Sequence, residues 1–167
     1  MNITHKQIVD YMQDLHEKSV STKSFYRFNL AEIQGSIRSK IIYPCIALES
    51  PEGDFQGTTE NNSLDNKLFA FSILDKPSQG DYTDEDLKLD NCERIGKQYL
   101  ARMRHDARIK ESLVFNIFNL SDTQYHKVGP IFTDRLFGYR FEIKLSNSKI
   151  NMQINPNDWT DLDNPCP

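Results

Sequence analysis

The side chains that could carry acid–base or metal chemistry are scattered along this sequence. Its four histidines are His5, His16, His105 and His126. None of them stands with a cysteine, a carboxylate or a second histidine at the helical spacing of a metal motif such as His-Glu-x-x-His. His105 and Asp106 are adjacent and could act as a base with its orienting carboxylate, yet no nucleophile can be assigned to them. We interpret them as exposed polar residues at a helix end, and we predict no catalytic residue, no metal site, no cofactor and no enzymatic activity.

The thiols and the glycines carry no recognisable motif either. The three cysteines are Cys45, Cys92 and Cys166, an odd number at wide spacing. That spacing matches neither a zinc motif nor a disulfide framework, so we expect two buried thiols and one exposed thiol in the tail. The sequence contains no Walker loop, no dinucleotide-binding glycine pattern and no Gly-x-Ser-x-Gly elbow.

A basic cluster is the clearest charge asymmetry. It lies near the end of a predicted helix and consists of Arg102, Arg104, His105, Arg108 and Lys110. One interpretation is a solvated helix end whose cations complement the helix dipole. Another is a contact with an acidic partner or with nucleic-acid phosphates. The net charge of −4 and the pI of about 5.6 disfavour a general nucleic-acid binder, which gains affinity by neutralising phosphates. Of the functional interpretations we favour a subunit contact, since opposite charges at separated places suit head-to-tail packing in a ring.

Trp159 is the one large aromatic side chain in a polar, proline-rich tail. Tryptophan is enriched at binding hot spots, so Trp159 is a candidate anchor on a neighbouring surface. The alternative is that it folds back on its own domain. The predicted subunit-interface residues are therefore Arg102, Arg104, Arg108, Lys110 and Trp159.

The clearest structural element is the segment 137–145, in which apolar and charged residues alternate. Its apolar residues fall at every second position: Phe137, Tyr139, Phe141, Ile143 and Leu145. Arg140, Glu142 and Lys144 fill the positions between them. A period of two predicts a strand with its apolar face in the core and its charged face toward water or a partner.

Two helices are predicted. The first covers residues 4–18, with Thr4 and Gln7 at capping-box spacing and a buried stripe made by Ile8, Tyr11, Met12 and Leu15. The second covers residues 83–108, with Thr83 as its N-cap and Gly96 allowing close approach to a sheet. Its core stripe consists of Leu89, Cys92, Ile95, Tyr99 and Met103.

Four further segments are predicted as strands. They are 41–48, buried on both faces with Pro44 near its start; 67–74, central in the sheet; 113–120; and 125–132, with Gly129-Pro130 marking a bulge or an edge. Residues 50–66 are predicted to be a loop, either a plain surface loop or a hairpin tip that reaches a partner. The stretch 25–49, which includes the 41–48 strand, is otherwise ambiguous: residues 25–30 have the alternating aromatic character of a strand, while Leu30, Ile33 and Ile37 are also compatible with a short helical turn.

The order of these elements predicts an α+β fold, a mainly antiparallel sheet with an N-terminal helix and a long central helix packed on it. The 167 residues, 38% hydrophobic and 26% charged, suit one domain at 1–154 followed by an extended tail at 155–167. No apolar run approaches the ~20 residues of a membrane helix. The N-terminus lacks an apolar signal-peptide core, so we expect synthesis in the cytoplasm.

This order of elements, closed by the strand Phe137-Gly-Tyr-Arg-Phe-Glu-Ile-Lys-Leu145, resembles the tail-terminator (tail-completion) proteins of tailed bacteriophages and related head–tail connector proteins. The resemblance covers most of residues 4–150 and does not extend to the 50–66 loop or the tail. It implies a non-enzymatic subunit of a homo-oligomeric ring, often a hexamer, that caps the tail tube and joins it to the neck of the virion. Its partners would be its own copies and neighbouring tail-tube or neck proteins, with no membrane and no direct nucleic-acid recognition.

Two other functions remain open on the sequence. The first alternative is a nucleic-acid-processing accessory protein that uses the basic end of the central helix. The second is a small hydrolase whose site follows no known motif.

Overall fold

The computed structural model describes residues 3–28, 41–57, 63–146 and 154–161. These ranges hold two α-helices and six strands, and their bounds in chain order are α1 His5–Lys18, β1 Ser24–Phe28, β2 Cys45–Glu49, β3 Glu52–Gly57, β4 Ser63–Asp75, α2 Tyr82–Asp106, β5 Gln124–Ile131 and β6 Leu136–Ser146. Two short 3-10 helices follow α2 and β6, at Leu120–Asp122 and Pro156–Asp158.

The strands form one mixed sheet in the order β1-β2-β4-β6-β5, with β3 also paired to β4. Only the β1–β2 pair is parallel among the described strands, and every other pair is antiparallel. β6 pairs with β4 from Asn66↔Ser146 to Asp75↔Phe137, which makes β4 and β6 the centre of the sheet. The predicted α+β class with a mainly antiparallel sheet is confirmed.

The predicted loop at 50–66 was wrong for most of its length. β2 and β3 run along the same edge of β4, β2 opposite residues 71–74 and β3 opposite residues 63–68, with Ser50 and Pro51 between them. The glycine, aspartate and glutamate residues of β3 have low intrinsic strand preference, but pairing with a long neighbouring strand overrides it. Residues 58–62, the remainder of the predicted loop, lie outside the described residues.

Both helices pack on one face of the sheet and bury the main core there. α1 begins with the predicted capping box, since the Thr4 side chain accepts from the Gln7 backbone while the Gln7 side chain accepts from the Thr4 backbone. The predicted stripe of α2 is buried: Leu89, Cys92, Ile95, Tyr99 and Met103. The N-cap of α2 is Asp81 rather than the predicted Thr83, because the Asp81 carboxylate accepts from the Asp84 N–H at 3.0 Å.

Gly96 lets α2 approach the sheet closely, as predicted. A Cβ atom added at this position would lie 2.0 Å from two ring carbons of Phe141. Phe141 is fully buried and stacks on Phe71 with a centroid separation of 5.1 Å. The alternating pattern of β6 is confirmed, because Phe141, Ile143 and Leu145 are buried while the intervening charged residues lie on the face opposite α1 and α2.

The strand predicted at 113–120 was wrong. This segment is a series of turns that touches the sheet through a single bridge between Phe118 and Leu145. Asn116 has a left-handed backbone with φ of 58°, which interrupts an extended chain. Val114 and Phe118 are nevertheless buried in the main core, so their apolar character reflects packing of a turn and not a strand.

The remaining strand predictions are confirmed in part. The strand predicted at 41–48 begins only at Cys45, directly after the cis Tyr43-Pro44 peptide, and all five β2 residues are buried. β5 is an edge strand with a register shift between Val128 and Ile131, where the predicted bulge stands. Residues 24–28 form the strand β1, which agrees with the first of the two structures predicted for this stretch. The helical turn predicted around Leu30, Ile33 and Ile37 lies outside the described residues.

Candidate functional site

A buried carboxylate organises the end of α2. The side chain of Asp106 is held by Arg102 Nε at 2.8 Å, by Tyr11 Oη of α1 at 3.0 Å and by His105 Nδ1 at 3.2 Å. Burial by itself would raise the pKa of Asp106, but the hydrogen bonds from Arg102, His105 and Tyr11 hold that pKa below its ordinary value. Burial, followed by the negative charge of Asp106 and the hydrogen bond to it, raises the pKa of Tyr11. Arg102, one of the predicted interface residues, is therefore engaged inside its own chain.

Arg104 and Arg108 behave differently from Arg102. They are exposed, and no carboxylate in residues 3–28, 41–57, 63–146 or 154–161 forms an ion pair with either of them. They line a groove of 740 Å³ between the last turns of α2 and the start of β5. Lys110, also predicted at the interface, is exposed after the end of α2 and does not line this groove.

The groove combines positive charge with apolar walls. Its cationic lining is Lys97, Arg104 and Arg108, and its other walls are Leu100, Ala101, His105, Leu120, Thr123 and Tyr125. No acidic side chain lines it. A partner with carboxylates and at least one large apolar side chain would match both properties of this surface.

Lys97 and Tyr125 form one wall of the groove, and both side chains bind Glu93. Lys97 Nζ lies 2.6 Å from a carboxylate oxygen of Glu93 and 5.3 Å from the centre of the Tyr125 ring. Tyr125 donates its hydroxyl to Glu93 at 3.1 Å. The hydrogen bond from Lys97 lowers the pKa of Glu93, and the same bond raises the pKa of Lys97. The ammonium group is thus partly satisfied, which leaves Arg104 and Arg108 as the least compensated cations of the groove.

Trp159 lies in the tail, where its side chain is 57% exposed. It follows the short 3-10 helix Pro156–Asp158, whose turn is closed by a hydrogen bond from Asn155 to Asp158 at 3.0 Å. Trp159 is not among the residues that line the groove. The structure therefore brings Arg104 and Arg108 together but does not join them to the tail of the same chain.

The face of the sheet opposite α1 and α2 carries a second charged cluster, in which the arginine is fully engaged by carboxylates of its own chain. Arg140 on β6 donates through Nε and Nη2 to Glu49 on β2 at 2.5 and 2.8 Å, and through Nη1 to Glu142. The bonds to Glu49 raise the pKa of Arg140. The sequence indicated that Arg140 and Glu142 share a face, but the reach across to Glu49 depends on strand order and has no sequence signal.

The residues considered for chemistry lie apart in the described ranges. No three histidine, cysteine or carboxylate side chains of these ranges are close enough together to hold a metal ion. Cys45 and Cys92 are buried as predicted, and burial raises the pKa of both thiols to about 12, which makes them poor nucleophiles at neutral pH. Cys166 lies outside the described residues.

No model of a known protein family matches this chain, and no curated protein matches it. Within the described ranges, no helix has the length and apolar character needed to cross a membrane.

Proposed function

We propose that this chain is a non-enzymatic structural subunit that assembles with its own copies into a ring at the tail end or head–tail junction of a phage or phage-like particle. The observation that carries the proposal is the pairing of two unlike surfaces on one chain. A groove with uncompensated arginines lies at the end of α2, and an exposed tryptophan lies in an acidic tail. Unlike surfaces on one subunit support head-to-tail contacts, which close into rings when the rotation permits.

The order of elements supports the particle assignment. An amphipathic α1, the strands β1–β4, a long α2 and a closing antiparallel strand β6 follow one another along the chain, and the resemblance to tail-terminator and connector proteins rests on an order of this kind. The neighbouring tail-tube or neck proteins would be the further partners, and the virion would be the location.

Light scattering and negative-stain images of the purified protein test this proposal. We expect a discrete oligomer, with the hexamer as the leading expectation, whose images show a ring with a central pore. A protein that remains monomeric at high concentration and with candidate tail proteins present would contradict the proposal.

A second candidate function is a nucleic-acid accessory role. The observation that favours it is the presence of Arg104, Arg108 and the Tyr125 ring in one groove, since guanidinium groups bind phosphates and aromatic rings stack on bases. A gel-shift assay with single-stranded DNA at several salt concentrations tests it. A salt-sensitive shift by monomers would favour this role, and no shift at low salt would exclude it.

A further inference from the structure

The tail of this chain carries negative charge and a large apolar side chain, which complement the groove between α2 and β5, called here the α2–β5 groove. Residues 155–167 carry three aspartates, Asp158, Asp161 and Asp163, and no lysine or arginine. They also carry Trp159, which is more than half exposed. The groove has the opposite character, with cationic side chains, apolar walls and no carboxylate in its lining.

We propose that the acidic tail, residues 155–167, of one copy docks in the α2–β5 groove of a second copy. The proposal deepens the proposed function, on which it rests, by naming the surfaces that join neighbouring subunits. Trp159 packs on the apolar walls at Leu120 and Tyr125, and the flanking aspartates pair with Arg104 and Arg108. The contact is heterologous, because each copy offers its groove to one neighbour and its tail to the other.

Three observations favour this occupant. The guanidinium groups of Arg104 and Arg108 are exposed and have no ion-pair partner among the described residues, so a docking carboxylate displaces no existing pair. Trp159 is exposed in the structure and does not line the groove of its own chain. The groove volume of 740 Å³ is of the size that holds a bulky ligand.

The first experiment measures the docking directly. A fluorescent peptide of residues 154–167 is titrated with the full-length protein, and the same peptide without the label serves as competitor. We expect Trp159→Ala in the peptide to weaken binding by about thirtyfold, the loss typical of a hot-spot tryptophan. Equal affinities of the two peptides, or no binding of the wild-type peptide, would overturn the proposal.

The second experiment exchanges the charges. The groove variant carries Arg104→Glu and Arg108→Glu, the tail variant carries Asp158→Lys, Asp161→Lys and Asp163→Lys, and the swap variant carries all five substitutions. We expect the groove and tail variants to fall to monomers at low salt, where screening is least. The swap variant should assemble again, because each reversed groove meets a reversed tail.

A matched control separates the groove from general charge effects. The variant with Arg94→Glu and Lys23→Glu makes the same change in net charge at exposed positions that do not line the groove. We expect it to assemble like the wild type. Equal loss of assembly in this control and in the groove variant would overturn the proposal.

Mixing the variants distinguishes docking between copies from docking within one copy. A groove variant keeps a wild-type tail, and a tail variant keeps a wild-type groove, so in a mixture each wild-type tail meets a wild-type groove and each reversed tail meets a reversed groove. We expect the mixture to assemble again, with the two variants alternating, whereas docking within one copy would leave the mixture unassembled. Groove and tail variants that assemble like the wild type would overturn the proposal, as would a swap variant that stays monomeric while folded.

The outcomes also separate this proposal from the ring proposal. Rings that persist in the groove variant would leave the ring function intact and remove the tail–groove contact. Specific peptide binding by a wild-type protein that never forms rings would support the tail–groove contact and remove the ring function. Loss of single-stranded DNA binding in the groove variant, with assembly unchanged, would assign the groove to nucleic acid and overturn the docking.

Discussion

Three donors converge on the buried carboxylate of Asp106 at the end of α2: Tyr11, Arg102 and His105. Replacing this carboxylate with an amide removes a charged acceptor from a buried site. We expect Asp106→Asn to lower the free energy of unfolding at neutral pH by about 1.5–3 kcal/mol, the range for hydrogen bonds to charged groups. Urea unfolding measures this change. Asp14→Asn is the control, since Asp14 forms an exposed helix pair with Lys18 and should change stability by under about 0.5 kcal/mol.

The stabilisation by Asp106 should depend on pH. Folding lowers the pKa of this carboxyl, so its contribution is complete above the unfolded-state pKa of about 3.9 and is lost as the pH falls through the folded-state pKa. The stability difference between wild type and Asp106→Asn should therefore shrink below about pH 4. Unfolding curves at neutral and acidic pH measure this difference. A difference that does not change with pH would show that folding does not lower the pKa of Asp106.

Phe141 is the central side chain of the core. It is fully buried and stacks on Phe71 of β4 and on Tyr125 of β5. We expect Phe141→Ala to destabilise the protein by about 3–5 kcal/mol, the usual cost of removing a buried aromatic ring. Phe55→Ala is the control, because Phe55 on β3 is 62% exposed. A thermal melt of Phe141→Ala that matches the wild type would refute the packing of β6.

At the scale of elements, the contact between α2 and β6 depends on Gly96. Alanine normally stabilises a helix by about 1 kcal/mol relative to glycine. Here the added methyl group would meet the buried Phe141 ring at 2.0 Å, so we expect Gly96→Ala to destabilise by about 1–3 kcal/mol as other overpacked cores do. Gln98→Ala, an exposed position on the same helix, is the control. Chemical denaturation measures both, and a more stable Gly96→Ala would show that α2 can move away from the sheet.

Element types were predictable wherever the pattern expressed burial on one face. The alternation in β6 and the helical stripes of α1 and α2 reflect a half-buried element directly, and the structure confirms them. The segment 113–120 failed because apolar content alone does not separate a packed turn from a strand. Asn116 was the available signal, since asparagine tolerates the left-handed backbone it adopts here.

The groove was predictable only in part. The clustering of Arg104 and Arg108 followed from helical spacing, whereas its apolar wall comes from Leu120 and Tyr125, which approach α2 only through the folding of the sheet. The spacing of Arg102 and Asp106 is that of a helical ion pair and could have indicated that Arg102 is engaged. The third donor, Tyr11, comes from α1 and has no signal in the sequence near Asp106.

At the scale of the whole molecule, the tail should be separable from the fold. Trp159 is exposed in the structure, and the tail sequence is too polar to build core. We expect deletion of residues 155–167 to leave the melting temperature within about 2 °C of the wild type, the size of a small surface effect, while it abolishes assembly. Differential scanning calorimetry and light scattering measure the two effects. A truncated protein that cannot fold would place the tail in the domain, and one that assembles normally would leave Trp159 without a role.

The pairing of β4 with β6 joins strands that are distant in sequence, with α2 and β5 between them. During synthesis, β4 leaves the ribosome long before β6 does. Until β6 arrives, β4 exposes an edge whose side chains include Phe69, Phe71 and Ile73. Unpaired apolar edges are templates for aggregation. Nascent chains interrupted before residue 146 should therefore aggregate more readily than the full-length chain, because β6 is the strand that covers this edge of β4.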